Sequence, residues 1–281
     1  MLRQLATGTI VRLAGYGAMT EPNPCFPAAS VAIVTGGESG IGRACAIALG
    51  AAGVAVAFTW HSDEAASEAT TKAITDAGGR ALAVQTDVTD EAAIEALFAA
   101  AEHAFGTVTL LVNSAGLNMS GTMLRDMPLA QFDRIVRSDL YGPFLTCRRM
   151  VRALETAEQP GRIVNISSIH ERAPRAGGVD YDAAKGGLAQ LTATLALELA
   201  PRRIAVNGVA PGMILTPMNQ SAMDDPNERR RKEAAIPWGR AGTGADVATL
   251  VMFLLSPAAD YITGSTVTID GGLSLTVAQG A

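Results

Sequence analysis

The chain is poor in the residues that hold metals or staple small folds. Its cysteines are three (Cys25, Cys45 and Cys147), an odd number with no CxxC spacing. That excludes a disulfide framework and a zinc ribbon, and points to thiols in a reducing compartment. The histidines are also three (His61, His103 and His170) and scattered, so no metal is expected. Lys and Arg together number 22 against 27 Asp and Glu, a net charge of −5. With no broad basic stripe, nucleic acid is not an expected partner. No apolar run of membrane length is unbroken. The longest uncharged stretch, Ala44 to Trp60, contains Gly50 and Gly53 and changes there from alanine-rich to β-branched. It reads as helix, turn and buried strand, not as a membrane span.

What remains is ample apolar material: 281 residues, 48% hydrophobic, enough for one large α/β domain. Residues 1–29 stand apart. They hold no acid before Glu21 and contain the proline-rich "EPNPCFP", so they read as a disordered extension, with Met19 as an alternative start. The domain is expected over 30–281. From Val31, short apolar runs alternate with helical patterns: strands at 31–35, 54–59, 81–87, 108–113, 162–167, 204–210 and 266–270, with helices such as 90–105 and 188–200. Near-continuous apolar strands fit a sheet covered on both faces. The alternation predicts a Rossmann-type, doubly wound, seven-stranded parallel sheet in a single domain. The polar segment 212–240, with Pro217, Pro226 and Pro237, interrupts this rhythm and is a candidate substrate lid.

Two motifs carry chemistry. The first strand runs into "TGGESGIGRA" (35–44). Gly36 permits a tight turn, and Gly40 and Gly42 permit close backbone approach. The helix opening behind Glu38, Ser39 and Ile41 offers free N–H groups to a pyrophosphate. Far downstream, Tyr181 and Lys185 stand four residues apart and so share a helix face. An ammonium there lowers the cost of charge on a phenol oxygen, which suits a proton donor or acceptor.

The glycine pattern followed by YxxxK resembles the short-chain dehydrogenase/reductase family, over Val31 to about Leu275. The resemblance implies further roles. Asp87 and Val88 resemble the pair beside the adenine. "NSAG" (Asn113, Ser114, Ala115, Gly116) resembles the Asn-Asn-Ala-Gly that follows the fourth strand. Ser168, thirteen positions before Tyr181, matches the catalytic serine. "PGMILTPM" (211–218) resembles the stretch that closes over the nicotinamide, through Pro211, Gly212, Ile214 and Thr216. Asp139 stands where the family often has an asparagine near the lysine, and is expected to tune that lysine.

For the dinucleotide, the acid expected about twenty residues past the glycines is replaced by Trp60, followed by His61 and Ser62. This leans to NADP, with NAD admitted. Glu38 would oppose a phosphate if it pointed inward. "SSIHE" (167–171) resembles glucose 1-dehydrogenase-like members and offers His170 beside Ser168 and Tyr181 for substrate hydroxyls. The expected activity is hydride transfer between a nicotinamide and a secondary alcohol or ketone, of sugar or polyol type. A 3-oxoacyl-carrier-protein reductase or small diketone reductase is the alternative enzyme. A dinucleotide sensor without chemistry is the rival of another class. The family also implies a cytoplasmic homotetramer, for which the leucine-rich helix 188–200 supplies apolar surface. Removing residues 1–18, which precede every strand and motif, should leave the melting temperature and turnover of the protein unchanged.

Overall fold

The computed structural model of the chain describes residues 26, 27, 29–119 and 121–278. Most of the expected extension, residues 1–25 and 28, lies outside them. In chain order the elements are β1 (Val31–Val34), α1 (Gly40–Ala51), β2 (Ala55–Trp60), α2 (Glu64–Asp76), β3 (Arg80–Gln85), α3 (Glu91–Phe105) and β4 (Leu110–Asn113). Then come α4 (Leu129–Val136), a π-helical turn (Arg137–Tyr141), α5 (Gly142–Ala157), β5 (Gly161–Ile166), α6 (Val179–Leu199) and β6 (Ile204–Pro211). The chain closes with β7 (Ile214–Leu215), α7 (Gln220–Asp224), α8 (Pro226–Glu233), β8 (Gly242–Thr243), α9 (Gly244–Leu255) and β9 (Thr266–Ile269).

Seven strands form one sheet in the order β3-β2-β1-β4-β5-β6-β9, and every neighbouring pair is parallel. The expected sheet is therefore present. β1 and β4 are buried along their whole length, because helices cover both faces. One face packs Cys45, Leu49, Val247 and Leu254 of α1 and α9 against the strands. The other packs Leu97, Phe98, Met150 and Leu154 of α3 and α5. Successive strands leave β1 toward one edge and, from β4 onward, toward the other. That reversal opens a crevice at the carboxyl ends of β1 and β4, where open α/β sheets take ligands.

Local chemistry explains where the elements stop. Thr35 ends β1 because its hydroxyl accepts from the N–H groups of Ser114 (2.9 Å) and Ala115 (3.0 Å), tying the ends of β1 and β4 together. β3 stops at Gln85 and the chain turns at Asp87, whose carboxylate accepts from Thr89 N–H at 2.8 Å. The helix expected from 188 begins at Val179 and carries Tyr181 and Lys185 in its first two turns.

Segment 212–240 leaves the carboxyl end of β6 as β7, a 3-10 turn, α7 and α8, and β7 pairs with β8. The expected boundary at residue 30 needs correcting. Phe26 is buried and belongs to the same core cluster as Leu49 and Val247, and Ser30 N–H closes a turn onto the Pro27 carbonyl. A lone aromatic between prolines has no periodic partner that would reveal its burial in the sequence. Phe26→Ala should lose about 3 kcal/mol of unfolding free energy in a urea titration, the scale of emptying a buried aromatic site.

Candidate active site

The crevice is a cleft of about 1020 Å³. At its floor lies a buried charged group. Lys185 reaches from α6 with its Nζ 3.1 Å from Asp139 Oδ2 and donates to the Ile166 carbonyl at 3.1 Å. The Lys185 and Asp139 side chains are 6% and 0% exposed. Asp139 is held in turn. Its Oδ1 accepts from Leu117 N–H at 2.8 Å and from the Ser138 hydroxyl. The π-helical turn places Ser138 and Asp139 inward together, a known habit of such turns at functional sites. Burial alone would pull the Lys185 ammonium down. The Asp139 carboxylate, with Tyr181 and Glu171 adding to it, outweighs that and holds the lysine above its ordinary value. The expected nearness of Asp139 to the lysine is present as a direct ion pair.

Lys185 Nζ also stands over the Tyr181 ring, 5.4 Å from its centroid. Ser168, just past the end of β5, starts a 3-10 turn and accepts from His170 N–H at 3.2 Å. Ser168, Tyr181, Lys185 and Asp139 all line the cleft. His170 is not among the lining residues. Its ring stands edge-on to Tyr181 at 6.1 Å, and its Nδ1 meets the Ala173 carbonyl at 2.8 Å. That contact makes Nδ1 the donor and leaves Nε2 as a free acceptor.

The other arm of the cleft is built from backbone. Ser39 precedes α1 with no side-chain cap, so the N–H groups of the first helical turn are unclaimed by any side chain. Ser39, Gly40 and Ile41 line the cleft there. Gly36 has φ +67, and a Cβ on it would meet Ala115 at 3.0 Å. Gly42 does not line the cleft. A Cβ there would strike the Gly36 carbonyl at 2.1 Å, so this glycine packs the helix against the loop. Asp87, Val88, His61 and Ser62 continue the wall, with Ala115 and Gly116 from the β4 end and Pro211, Gly212, Ile214 and Thr216 from the β6 end. The Thr89 backbone N–H holds the Asp87 carboxyl below its ordinary range. An uncapped helix N-terminus in a glycine cradle, beside a fixed ammonium and phenol, fits a dinucleotide.

Two further expected positions, Trp60 and Asn113, also lie off the cleft. Trp60 ends β2 but does not line the cleft. Side chains alternate along a strand, so Thr59 before Trp60, and His61 and Ser62 after it, line the cleft while Trp60 does not. Asn113 is buried with its amide donating to Asn165 Oδ1 at 2.9 Å and its carbonyl accepting from the Thr146 hydroxyl at 2.6 Å. It ties β4, β5 and α5 together inside the core. Gly187 of α6 makes room for Leu140, since a Cβ on it would meet that side chain at 2.9 Å. The sequence reading also missed Ser138, Leu117 and the Ile166 carbonyl, because a backbone contact and a helix irregularity leave no residue pattern.

Asp139→Ala should cost about 3–5 kcal/mol of unfolding free energy, because it strands a buried ammonium. Replacing both partners, Asp139→Leu with Lys185→Met, should recover most of that loss. The pH sign follows from the raised lysine. Its contribution is full below the ordinary value near 10.5 and lost as pH rises through the higher folded value. Denaturant titrations of wild type should weaken above that pH, and those of the double variant should lack this component.

A family model described as enoyl-(acyl carrier protein) reductase matches residues 36–274. The chain is 41% identical over 243 residues to 3beta-hydroxysteroid dehydrogenase 1 of Eggerthella lenta, covering 86% of this chain and 93% of that one. It is 36% identical over 248 residues to glucose 1-dehydrogenase 2 of Bacillus subtilis, covering 88% and 96%. Among solved structures, acetoin dehydrogenase from Enterobacter cloacae superposes with a TM-score of 0.81 at 38% identity, covering 90% of this chain and 98% of that one. With its sheet order, glycine loop and Ser168-Tyr181-Lys185 set, the chain belongs to the short-chain dehydrogenase/reductase family of NAD(P)-dependent oxidoreductases.

Proposed function

We propose that the protein interconverts a secondary alcohol and its ketone, with a small polyhydroxylated substrate of sugar or polyol type. The observation that carries this is the Lys185 ammonium, paired with buried Asp139 and set over the Tyr181 ring, with Ser168 lining the same cleft. A nicotinamide held in the cleft would supply the hydride acceptor in oxidation and the donor in reduction. Tyr181 takes the alcohol proton on its phenol oxygen as the alcohol is oxidised, and returns it in reduction. Lys185 eases charge on that oxygen through the field of a fixed ammonium. The Ser168 hydroxyl donates to the reacting oxygen and orients it. Ser39, Gly40 and Ile41 hold the pyrophosphate through the helix N-terminus. His170 stands off the cleft wall, edge-on to Tyr181, and makes no substrate contact in this reading.

A second reading, a larger apolar alcohol or acyl ketone, is favoured by Met218, which lines the cleft and is half-exposed, and by Met223 and Trp238 exposed on the same segment. That segment, 212–240, is the lid in either case. A panel of glucose, butane-2,3-diol, acetoin and a 3β-hydroxysteroid, read by reduced-nicotinamide absorbance with NAD(H) and NADP(H), separates the two readings. The missing acid at position 60 favours NADP, whereas Glu38 in the cleft argues for NAD.

The reading includes a cytoplasmic homotetramer. Leu197 on α6 is 82% exposed and Phe253 on α9 is 43% exposed, apolar surface that subunit contact would cover. Among the described residues no helix is long and apolar enough to cross a membrane. Light scattering at micromolar concentration should return a tetramer mass; a monomer mass contradicts that assembly. Tyr181→Phe should retain dinucleotide binding and lose turnover by at least about a hundredfold, the usual scale for removing a general acid–base group. Substantial turnover by that variant would overturn the assigned role.

A further inference from the structure

The end of the cleft at β2 contains a carboxylate that the catalytic account does not use. Glu38 sits in the loop between β1 and α1 and lines the cleft. Its Oε1 accepts from His61 N–H at 3.2 Å. Its Oε2 is buried and has no hydrogen-bond partner, a costly arrangement for a charged oxygen unless something else supplies a donor. The loop has little freedom to turn Glu38 away. Gly36 N–H donates to the Thr59 hydroxyl at 2.9 Å and Gly37 N–H to the Thr59 carbonyl at 2.8 Å. A Cβ on Gly37 would strike Phe58 at 2.6 Å, so the loop lies flat on the end of β2.

The charged side chains that the loops after β1, β2 and β3 bring to the cleft wall include two acids and no Lys or Arg. Asp87 also lines the cleft here, held ionised by Thr89. The Lys and Arg residues lining the cleft are Arg134, Arg137 and Lys185, from α4, the π-helical turn and α6, none from the loops after β1 or β2. Arg43 is on α1 and opens, with Glu38 and Asp63, onto the adjoining groove; it does not line the cleft. The His61 N–H that a phosphate oxygen would seek is already taken by Glu38.

We infer that Glu38 reads the adenosine ribose as a free diol, accepting from its hydroxyls with the unpartnered oxygen, and so selects NAD over NADP. The selecting acid then comes from the glycine loop, in place of the acid usually found at the end of β2, where this chain has Trp60. A 2′-phosphate would bring a dianion against Glu38 and Asp87, and the nearby Arg43 opens onto the adjoining groove instead of the cleft. A hydroxyl would supply the donor that Oε2 lacks. Specificity of this kind uses attraction to one ligand and repulsion of the other. The inference rests on the proposed dinucleotide site and extends it to the choice of dinucleotide.

The test is equilibrium binding of NADH and NADPH to the full chain without alcohol, by nicotinamide fluorescence and calorimetry. Wild type should bind NADH at least about tenfold more tightly than NADPH. Glu38→Gln and Glu38→Ala, each checked for an unchanged melting curve, should bring that ratio to within about threefold, with the gain falling on NADPH. Arg43→Ala should leave the ratio where it was. Equal or tighter NADPH binding by wild type overturns the inference, as does an unchanged ratio in both Glu38 variants. Selective loss of NADPH binding in Arg43→Ala also overturns it, because a cation would then read this end. Because no alcohol is present, lack of turnover on every substrate tested would count against the proposed reaction and leave this inference standing.

Discussion

A buried ammonium organises the catalytic end of this molecule. Lys185 cannot lie inside the fold as an isolated charge, so the chain surrounds it. Asp139 from the π-helical turn opposes it, and the Ile166 carbonyl at the end of β5 accepts from it. Leu117 N–H and the Ser138 hydroxyl steady the carboxylate. Four separate segments thereby meet at one charge, and the phenol of Tyr181 is fixed above it by being on the same helix. Even Gly116 is constrained by the pair, since a Cβ there would stand 2.7 Å from Asp139 Oδ2. Removing either charge leaves the other unbalanced in a dry site, which is why the pair binds these segments more firmly than a surface ion pair would.

Electrostatic character changes along the cleft. The catalytic end has a fixed cation beneath a phenol, suited to an oxygen that gains negative charge. The middle offers the uncapped N-terminus of α1, suited to a pyrophosphate. The far end is lined by Glu38 and Asp87, suited to hydroxyl donors. An elongated ligand with a neutral reactive head, an anionic centre and a diol matches that sequence of environments. The sheet supplies the alignment, because β1, β4, β5 and β6 all deliver their carboxyl ends to the same edge.

Much of this was legible in the sequence, for definite reasons. The sheet could be read because strands covered on both faces are written as apolar runs. Tyr181 and Lys185 could be read because a helix puts positions four apart on one face. The glycine loop could be read because its spacing has a steric meaning, which Gly36 and Gly42 each satisfy in a different way. The misses share another cause: they depend on direction, which composition does not encode. Asn113 stands in the expected segment but its amide turns into the core. Trp60 stands at the expected distance, but Thr59, His61 and Ser62 line the wall on either side of it. Phe26 is buried though its neighbours gave no periodic signal. The direct Asp139–Lys185 contact needed the π-helical turn, and one inserted residue in a helix is invisible to a periodicity argument.

The central claim is that this cleft moves a hydride between a carbinol carbon and a nicotinamide while Tyr181 handles the proton. The most direct measurement uses a secondary alcohol turned over by the enzyme, deuterated at the carbinol carbon, with mass spectrometry of the recovered dinucleotide. The account predicts that wild type transfers the deuterium to the dinucleotide and shows a primary isotope effect on the chemical step. Turnover of the labelled alcohol with the deuterium recovered in water, and none on the dinucleotide, would contradict it.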